Sequence, residues 1–490
     1  MNKPIIFKLL SIVMIPIACG MGISVIAGLL IGESARDAAI LALIGGCTAS
    51  LGFAALFHFL GRQAQNRIFR REALCAIGVG WIMACFLGAI PFFWGLPGCT
   101  FSDALFESAS GISTTGASVF GNLDEFPASL LFWRAISQWI GGLGVVVFFV
   151  ALLASLGVGA KILFSNESTG TASDMDQGRI QSGAFRIMVL YLGLSALCVL
   201  AYRMAGMGWF DAFCHSFTTV ATGGFSTHPG SIGGFQSAAI EWVSILFMTL
   251  GGITFVFMLR ILRGNRTEAV RNTEVHWYLG LIVMGTVAIT LLLINQNGAF
   301  AWHDTIRTAA FQVVSLTTTT GYATADYTLW FSGAQLILIC LMFIGGTSGS
   351  TSGGAKVIRV VVVSKAALRS VLDAFRPNVI RPIWINGKVL SESAVASVTT
   401  YLVLLLVITL VSAVIVAFLE PNLDILTVGS TVQATFFNIG PGFGGVGPTE
   451  TFASLSAPTK CFLSFLMILG RLELYAVLVL LAPTFWRRYS

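Results

Sequence analysis

Residues 302–323 read WHDTIRTAAFQVVSLTTTTGYA. An acid, Asp304, stands near the start, an amphipathic run follows, and the segment ends in four threonines, Gly321 and Tyr322. Crossing a bilayer as a helix takes roughly 20 apolar residues. The amphipathic run before the threonines is too short for that, and the end of the stretch is too polar to face lipid. Long apolar runs lie on both sides of it. The pattern predicts a re-entrant pore loop, a short helix that descends partway into the membrane and returns as extended backbone. Non-helical backbone at that depth survives only against protein or a water-filled cavity, so the rest of the chain has to be built around the loop.

The composition agrees with a membrane setting. The 490 residues are 56% hydrophobic and 10% charged, with a mean hydropathy of +0.86, more apolar surface than a soluble fold can hide. The 53 glycines suit close helix packing and unusual backbone at membrane depth. The nine cysteines are scattered and form no CxxC pair, and the five histidines are dispersed, so neither a disulfide framework nor a transition-metal site is expected. No hydrolase triad, nucleotide-binding loop or dinucleotide fingerprint stands out, so the chain does not read as an enzyme. The net charge of +6 reads as membrane topology and not as nucleic-acid binding.

Apolar spans over 5–32 and 38–61 open the chain. Lys3 and Lys8 precede or enter the first, and Ala18-Cys19 is a fragment of a lipoprotein cleavage box. The run is long, lacks a clean cleavage site and is followed at once by a second span, so it reads as an uncleaved anchor. After the basic loop of Arg62, Arg67, Arg70 and Arg71 a pattern recurs: a long apolar helix, a re-entrant loop, a second long apolar helix, a basic loop. The first helices are expected near 73–94, 184–205, 275–294 and 394–419, and the second near 128–156, 237–262, 330–372 and 457–484. Basic loops follow at 161–186, 260–271 and 356–388, and Arg487 and Arg488 come last. The chain thus divides into a two-helix unit, 1–66, and four units, 67–160, 161–265, 266–380 and 381–490. The expected fold is an all-α polytopic membrane protein with ten transmembrane helices, four helix–pore loop–helix units around a central pore plus two N-terminal helices. Most Lys and Arg lie on the side of the basic loops, which places that side and both termini in the cytoplasm. The re-entrant loops then enter from outside, where Asp124, Glu125, Asp326 and Glu450 make an acidic mouth that concentrates cations.

The four loops align on one glycine: FSDALFESASGISTTGAS with Gly116, WFDAFCHSFTTVATGGFS with Gly224, TTTTGYA with Gly321, and NLDILTVGSTVQATFFNIGPGFG with Gly440. Each short helix carries an acid near its start, Asp103, Asp211, Asp304 and Asp424, suited to capping free N–H groups and complementing the positive helix end. The third and fourth short helices are expected to be one turn longer than the others. Helices that run inward point their negative C-terminal ends at the membrane centre. The backbone that follows turns carbonyls toward a cation and replaces its hydration shell, with glycine permitting the conformation. Gly141, Gly142, Gly144, Gly251 and Gly252 read instead as helix-packing residues.

TTG, TGG, TTGY and NIGPG at equivalent places in four units resemble the Trk/Ktr/HKT superfamily of K+ transporters over essentially the whole chain, and the two extra N-terminal spans are most similar to its bacterial Trk branch. The resemblance implies that Thr114-Thr115-Gly116, Thr222-Gly223-Gly224, Thr319-Thr320-Gly321 and Asn438-Ile439-Gly440 form a selectivity filter whose carbonyls bind K+, with no organic cofactor. Four glycines are the K+-favouring pattern in that family. The differing residues around them make the filter asymmetric, with modest selectivity over Na+ expected. The run Gly345-Gly346-Thr347-Ser348-Gly349-Ser350-Thr351-Ser352-Gly353-Gly354 cannot remain helix, and by resemblance it is an intramembrane gate. Arg471, mid-helix in ILGRLELYAVLVLL, would be a positive barrier beside that gate. Glu473, two residues on, faces elsewhere. The loop at 166–170 departs from the family pattern by lacking proline. The family further implies a homodimer and a cytoplasmic nucleotide-binding regulatory ring (TrkA-like), with 260–271 and 356–381 as candidate docking surfaces, in a bacterial plasma (inner) membrane. The K+-binding subunit of a P-type pump complex, which shares the four-unit plan, is the alternative. A membrane-embedded enzyme would need clustered acids or histidines at depth, and a secondary transporter with inverted repeats would need opposed topologies. Passive and ion-coupled uptake stay open.

Overall fold

The computed structural model describes residues 2–64, 70–155, 177–264, 271–297 and 302–486. Expectations for Arg67, for 156–176 including the loop at 166–170, for 265–270 and for Arg487 and Arg488 lie outside these residues.

Two apolar helices come first, α1 (Lys3–Ile31) and α2 (Ala38–Leu60), packed against each other. Proline in the first turn of α1 needs no N–H partner. Gly32, at a left-handed φ of 109°, closes the helix by donating its N–H to Gly28 and Leu29 carbonyls. The first unit then runs α3 (Arg70–Gly95), the short helix α4 (Phe101–Ile112) and α5 (Ala128–Ser155). The second has α6 (Gln177–Met204), short α7 (Trp209–Val220), α8 (Ala238–Gly251) and α9 (Phe255–Leu262). The third has α10 (Thr273–Asn297), short α11 (Trp302–Thr317), α12 (Ser332–Ile344) and α13 (Val357–Asp373). A small antiparallel hairpin, β1 (Trp384–Ile385) and β2 (Lys388–Val389), leads into the fourth. That unit has α14 (Glu392–Leu419), short α15 (Ile425–Phe436), α16 (Ala457–Arg471) and α17 (Tyr475–Leu481). The long first helices present apolar side chains outward, as α14 does with Leu406, Leu410, Val414 and Phe418.

Three expectations need correction. The stretch 237–262 is not one helix, because α8 and α9 meet at a 96° bend. The stretch 457–484 is also broken, after Arg471, where Glu473 and Leu474 adopt φ of 53° and 63°. Arg471 is therefore the last residue of α16 and not mid-helix. Finally, α15 has 12 residues, as many as α4 and α7, and only α11, with 16, is a turn longer. Asp424 looked distant because it is the N-cap residue ahead of α15, whereas Asp103 lies within the first turn of α4. With these breaks, six helices among the described residues are each long and apolar enough to cross a membrane, or seven if α8 and α9 count as one span.

The breaks share a register. QWIGG (138–142), MTLGG (248–252), MFIGG (342–346) and MILGR (467–471) are the same stretch of four second helices, and the helix ends there in the last three. In the first, second and fourth units the glycine in fourth place packs against the end of its own unit's short helix, whereas Gly345 of the third meets Gly353 and Gly354. A Cβ on Gly141 would overlap the Ile112 carbonyl, one on Gly470 the Phe436 carbonyl, and one on Gly251 would come to 3.3 Å from the Val220 carbonyl. Gly142 and Gly252 are also confined, by the Tyr191 and Tyr278 hydroxyls, while Gly144 meets only Trp81 at an ordinary 3.6 Å. Overpacking against fixed backbone costs about 1–3 kcal/mol. Gly470→Ala is accordingly expected to lower the thermal midpoint of the purified protein, and Gly144→Ala to leave it unchanged or slightly raised, by differential scanning fluorimetry in detergent.

Candidate functional site

Each short helix ends by running into one backbone form. Thr114, Thr222, Thr319 and Asn438 have φ of 54°, 50°, 57° and 55°, and the glycines two residues on have φ of 85°, 81°, 81° and 104°. A non-glycine residue in the left-handed region costs of order 1–3 kcal/mol unless its surroundings hold it. Here they do. The N–H of the middle residue donates to a short-helix carbonyl five residues back in every unit: Thr115 to Ser110 (2.8 Å), Gly223 to Thr218 (2.8 Å), Thr320 to Ser315 (2.9 Å) and Ile439 to Ala434 (2.8 Å).

The four segments then meet in order. A Cβ on Gly116 would overlap the Gly223 carbonyl, one on Gly224 the Thr320 carbonyl, and one on Gly321 the Ile439 carbonyl. One on Gly440 would sit 2.9 Å from the Thr115 carbonyl, which returns the circuit to its start. Each glycine is thus required twice, by its φ and by the carbonyl of the next segment. All four border a single cavity of about 150 Å³ whose outer wall includes Ser118, His228, Glu450 and Thr451. Carbonyl rings of this kind are ligands for a hard cation.

A family model for TrkH, described as a cation transport protein, matches residues 47–488. The chain belongs to the TrkH family. It is 34% identical to a Trk system potassium uptake protein TrkH of Halomonas elongata over the full length of both chains, and 35% identical to the TrkH of Escherichia coli K12 over 92% of this chain and 93% of that one. The crystal structure of the potassium transporter TrkH from Vibrio parahaemolyticus superposes with a TM-score of 0.89 at 30% identity, covering 99% of this chain and all of the other. The family is one of multi-pass membrane cation transporters, not of enzymes.

Around the TrkH-type glycine segments lie polar residues that motif reading passed over. Nine positions before each glycine stands a buried polar side chain: Glu107, His215, Gln312 or Thr431. The first three hold the strand that climbs away from their own glycine. Glu107 accepts from Ser118 Oγ (3.0 Å) and Val119 N (3.1 Å), His215 Nε2 pairs with Ser226 Oγ (3.0 Å), and Gln312 Nε2 donates to the Ala325 carbonyl (3.2 Å). In the fourth unit the adjacent Ser430 does this work, accepting from Phe443 N (2.9 Å). Arg134 of α5 links two units: its Nε donates to Glu107 (2.8 Å) and its Nη1 to the Ser226 carbonyl (3.0 Å), with the guanidinium 4.2 Å above the Phe225 ring. Both charges are buried. The signal available in the sequence was polar residues at one register of the four short helices, visible only after alignment on the glycines.

The four starting aspartates divide. Asp424 caps α15 through Thr427 N (3.1 Å), and Asp103 forms a capping box with Thr100 while accepting from Lys460 Nζ (2.7 Å). Asp211 instead accepts from Thr227 Oγ1 (2.7 Å), and Asp304 pairs with Arg307 (2.8 Å). All four still lie at the positive ends of their helices.

The run 345–356 is irregular and lies directly beneath the glycine segments. Thr347 donates through N and Oγ1 to the Gly252 carbonyl (3.0 Å each), Thr351 Oγ1 to the Val220 carbonyl (3.0 Å), Gly353 N to Thr319 Oγ1 (2.6 Å) and Gly354 N to the Phe437 carbonyl (3.1 Å). Arg471 is buried, so it does not reach an interface; its Nη1 donates to the Thr351 carbonyl at 2.6 Å. Glu473 pairs with Arg359, which stacks 4.1 Å over Tyr401. Lys356, also buried, donates to the Ser352 carbonyl. Thr317 ends α11, and Thr318 Oγ1 and Thr320 Oγ1 share a hydrogen bond of 2.7 Å.

Removing one partner of a buried ion pair costs about 3–5 kcal/mol, while replacing both with apolar groups is often near neutral. Arg134→Ala is expected to lower the thermal midpoint strongly, and Arg134→Met combined with Glu107→Leu to recover part of the loss, by the same unfolding assay.

Proposed function

We propose that the chain is the pore-forming membrane subunit of a potassium uptake system that passes K+ inward through the ring of four glycine segments. The observation that carries this reading is the circuit of carbonyl-to-glycine approaches from Gly116 through Gly224 and Gly321 to Gly440, opening on one outer cavity. In it, the carbonyls of Thr114, Thr115, Gly116, Thr222, Gly223, Gly224, Thr319, Thr320, Gly321, Asn438, Ile439 and Gly440 supply the ion's coordination, and the C-terminal ends of α4, α7, α11 and α15 add negative potential beneath it. The helix–short helix–helix units are four repeats around this axis. With each broken second helix counted as one crossing and two N-terminal helices added, the chain crosses ten times. The potassium-uptake names of its full-length relatives point the same way and favour this reading over the pump subunit.

The run 345–354 acts as the gate in this proposal, held across the conduction path by Arg471 below and by Thr319 and the Phe437 carbonyl above. The positive inner loops place both termini in the cytoplasm of a bacterial inner membrane. A cytoplasmic nucleotide-binding ring controls the gate through the basic segments 260–271 and 356–381, and the functional unit is a homodimer.

Expression together with its nucleotide-binding partner is expected to restore growth at low K+ to a bacterium lacking K+ uptake, and liposomes holding the protein are expected to take up Rb+. Absence of both would sink the reading. Gly116→Ser places an oxygen-bearing side chain against the Gly223 carbonyl and is expected to lower the Rb+/Na+ flux ratio; an unchanged ratio counts against the filter. Deletion of 347–352, or Arg471→Ala, is expected to raise Rb+ flux severalfold, and equal or lower flux from well-folded protein counts against the gate.

A further inference from the structure

The middle position of the four glycine segments holds Thr115, Gly223, Thr320 and Ile439. Three of these carry a side chain into the surrounding protein. Thr115 Oγ1 shares hydrogen bonds with Ser113 Oγ (2.6 Å) and Asn438 Nδ2 (2.9 Å), Thr320 Oγ1 with Thr318 Oγ1 (2.7 Å), and Ile439 is fully buried. Gly223 has no side chain, yet its φ is not in the left-handed region, so the backbone itself does not demand glycine.

What excludes a side chain there is Gln138 of α5. A Cβ on Gly223 would overlap the Gln138 carboxamide. Gln138 is fully buried; its Nε2 donates to the Gly223 carbonyl at 2.7 Å and its Oε1 accepts from Phe225 N at 3.2 Å, so one amide brackets Gly224 from both sides. In the register of the second helices, the residues matching Gln138 are Met248, Met342 and Met467, each fully buried. The one amide at this register thus meets the one segment without a middle side chain.

We propose that Gln138 is a specificity-determining positioning residue: it replaces the side chain that Gly223 lacks and anchors the Gly223 carbonyl against inward movement. The inference rests on the four segments being the K+ filter. A pair of adjacent glycines has the widest range of allowed backbone conformations in the ring. An untethered Gly223 carbonyl could move inward and close around a smaller cation. The amide donor prevents that, because following the ion would leave Nε2 buried without a partner. The same hydrogen bond already satisfies part of the carbonyl's negative charge, so this quarter of the ring binds an ion less strongly than the other three.

The test compares Rb+ and Na+ flux into liposomes for wild type, Gln138→Met, Gly223→Thr, and Gln138→Ala combined with Gly223→Thr. Gln138→Met installs the side chain used at this register by the other units. It is expected to keep Rb+ flux and to lower the Rb+/Na+ ratio by about 3- to 10-fold, the loss of one ordinary hydrogen bond. Gly223→Thr alone is expected to lose flux or fold poorly. The double variant, which rebuilds the Thr-bearing arrangement of the first and third units, is expected to recover flux and most of the ratio. An unchanged ratio in Gln138→Met overturns the proposal. So does a Gln138→Met protein that fails to fold if the double variant fails to recover flux. Wild type separates this from the reading beneath it: no Rb+ flux there removes the transport proposal, whereas selective wild-type flux with an insensitive Gln138→Met removes only the role of Gln138.

Discussion

Backbone that leaves a helix inside a membrane has to find its hydrogen-bond partners within the protein. Four segments of this chain do so at once, and each depends on the others. The left-handed Thr or Asn is fixed by the short helix behind it, through the middle-residue N–H five positions on from its acceptor. The glycine is fixed by the carbonyl of the next segment, which leaves no room for a Cβ. No segment can relax without moving its neighbour, which is how strained backbone persists at such a site. The ring therefore behaves as one element contributed by four distant parts of the sequence.

The backbone of the four units is nearly equivalent, but the side chains behind it are not. Polar residues nine positions before the glycine recur as Glu107, His215, Gln312 and Thr431, each buried, yet only the first is a charge and needs Arg134 to answer it. The second helix of the first unit contributes two buried polar groups here. Along a single face, Arg134 and Gln138 reach into both the first and second segments, while the matching helices carry Met at the position of Gln138. In the proposed potassium pore, such an arrangement backs the four segments with chemically different side chains.

The breaks in the second helices serve the same constraint. A helix that ends at depth leaves carbonyls without partners, and the run 345–354 takes them: Thr347 bonds to Gly252, and Thr351 to Gly251 and Val220. Gly353 and Gly354 bond upward to Thr319 and Phe437. In the proposed mechanism, displacing this run to open the path also removes hydrogen bonds from the base of the ring, so opening and ion choice are mechanically linked. Arg471 occupies the place where the other three second helices have Gly142, Gly252 and Gly346, a charge set where its counterparts need the smallest residue.

Much of this was legible in the amino-acid order. Apolar run lengths, the positions of the four TTG-like segments and the Gly/Ser/Thr run in the third unit follow from local composition, because the cost of exposing polar backbone to lipid acts on each stretch separately. Local pattern could not show that α8 and α9 bend, since MTLGGIT remains apolar through the break, where Gly252 and Phe255 bond to Thr347 and Gly349 of the third unit. Nor could it pair Asp211 with Thr227 and not with free N–H groups, or bring Arg134 to Ser226 and Gln138 to Gly223, residues 92 and 85 positions apart. The sequence by itself determined a membrane protein with four glycine-bearing loops. Only the tertiary structure decided how those loops lean on one another, because a carbonyl's approach to a glycine in another unit is fixed by packing between units and leaves no trace in either unit's own composition.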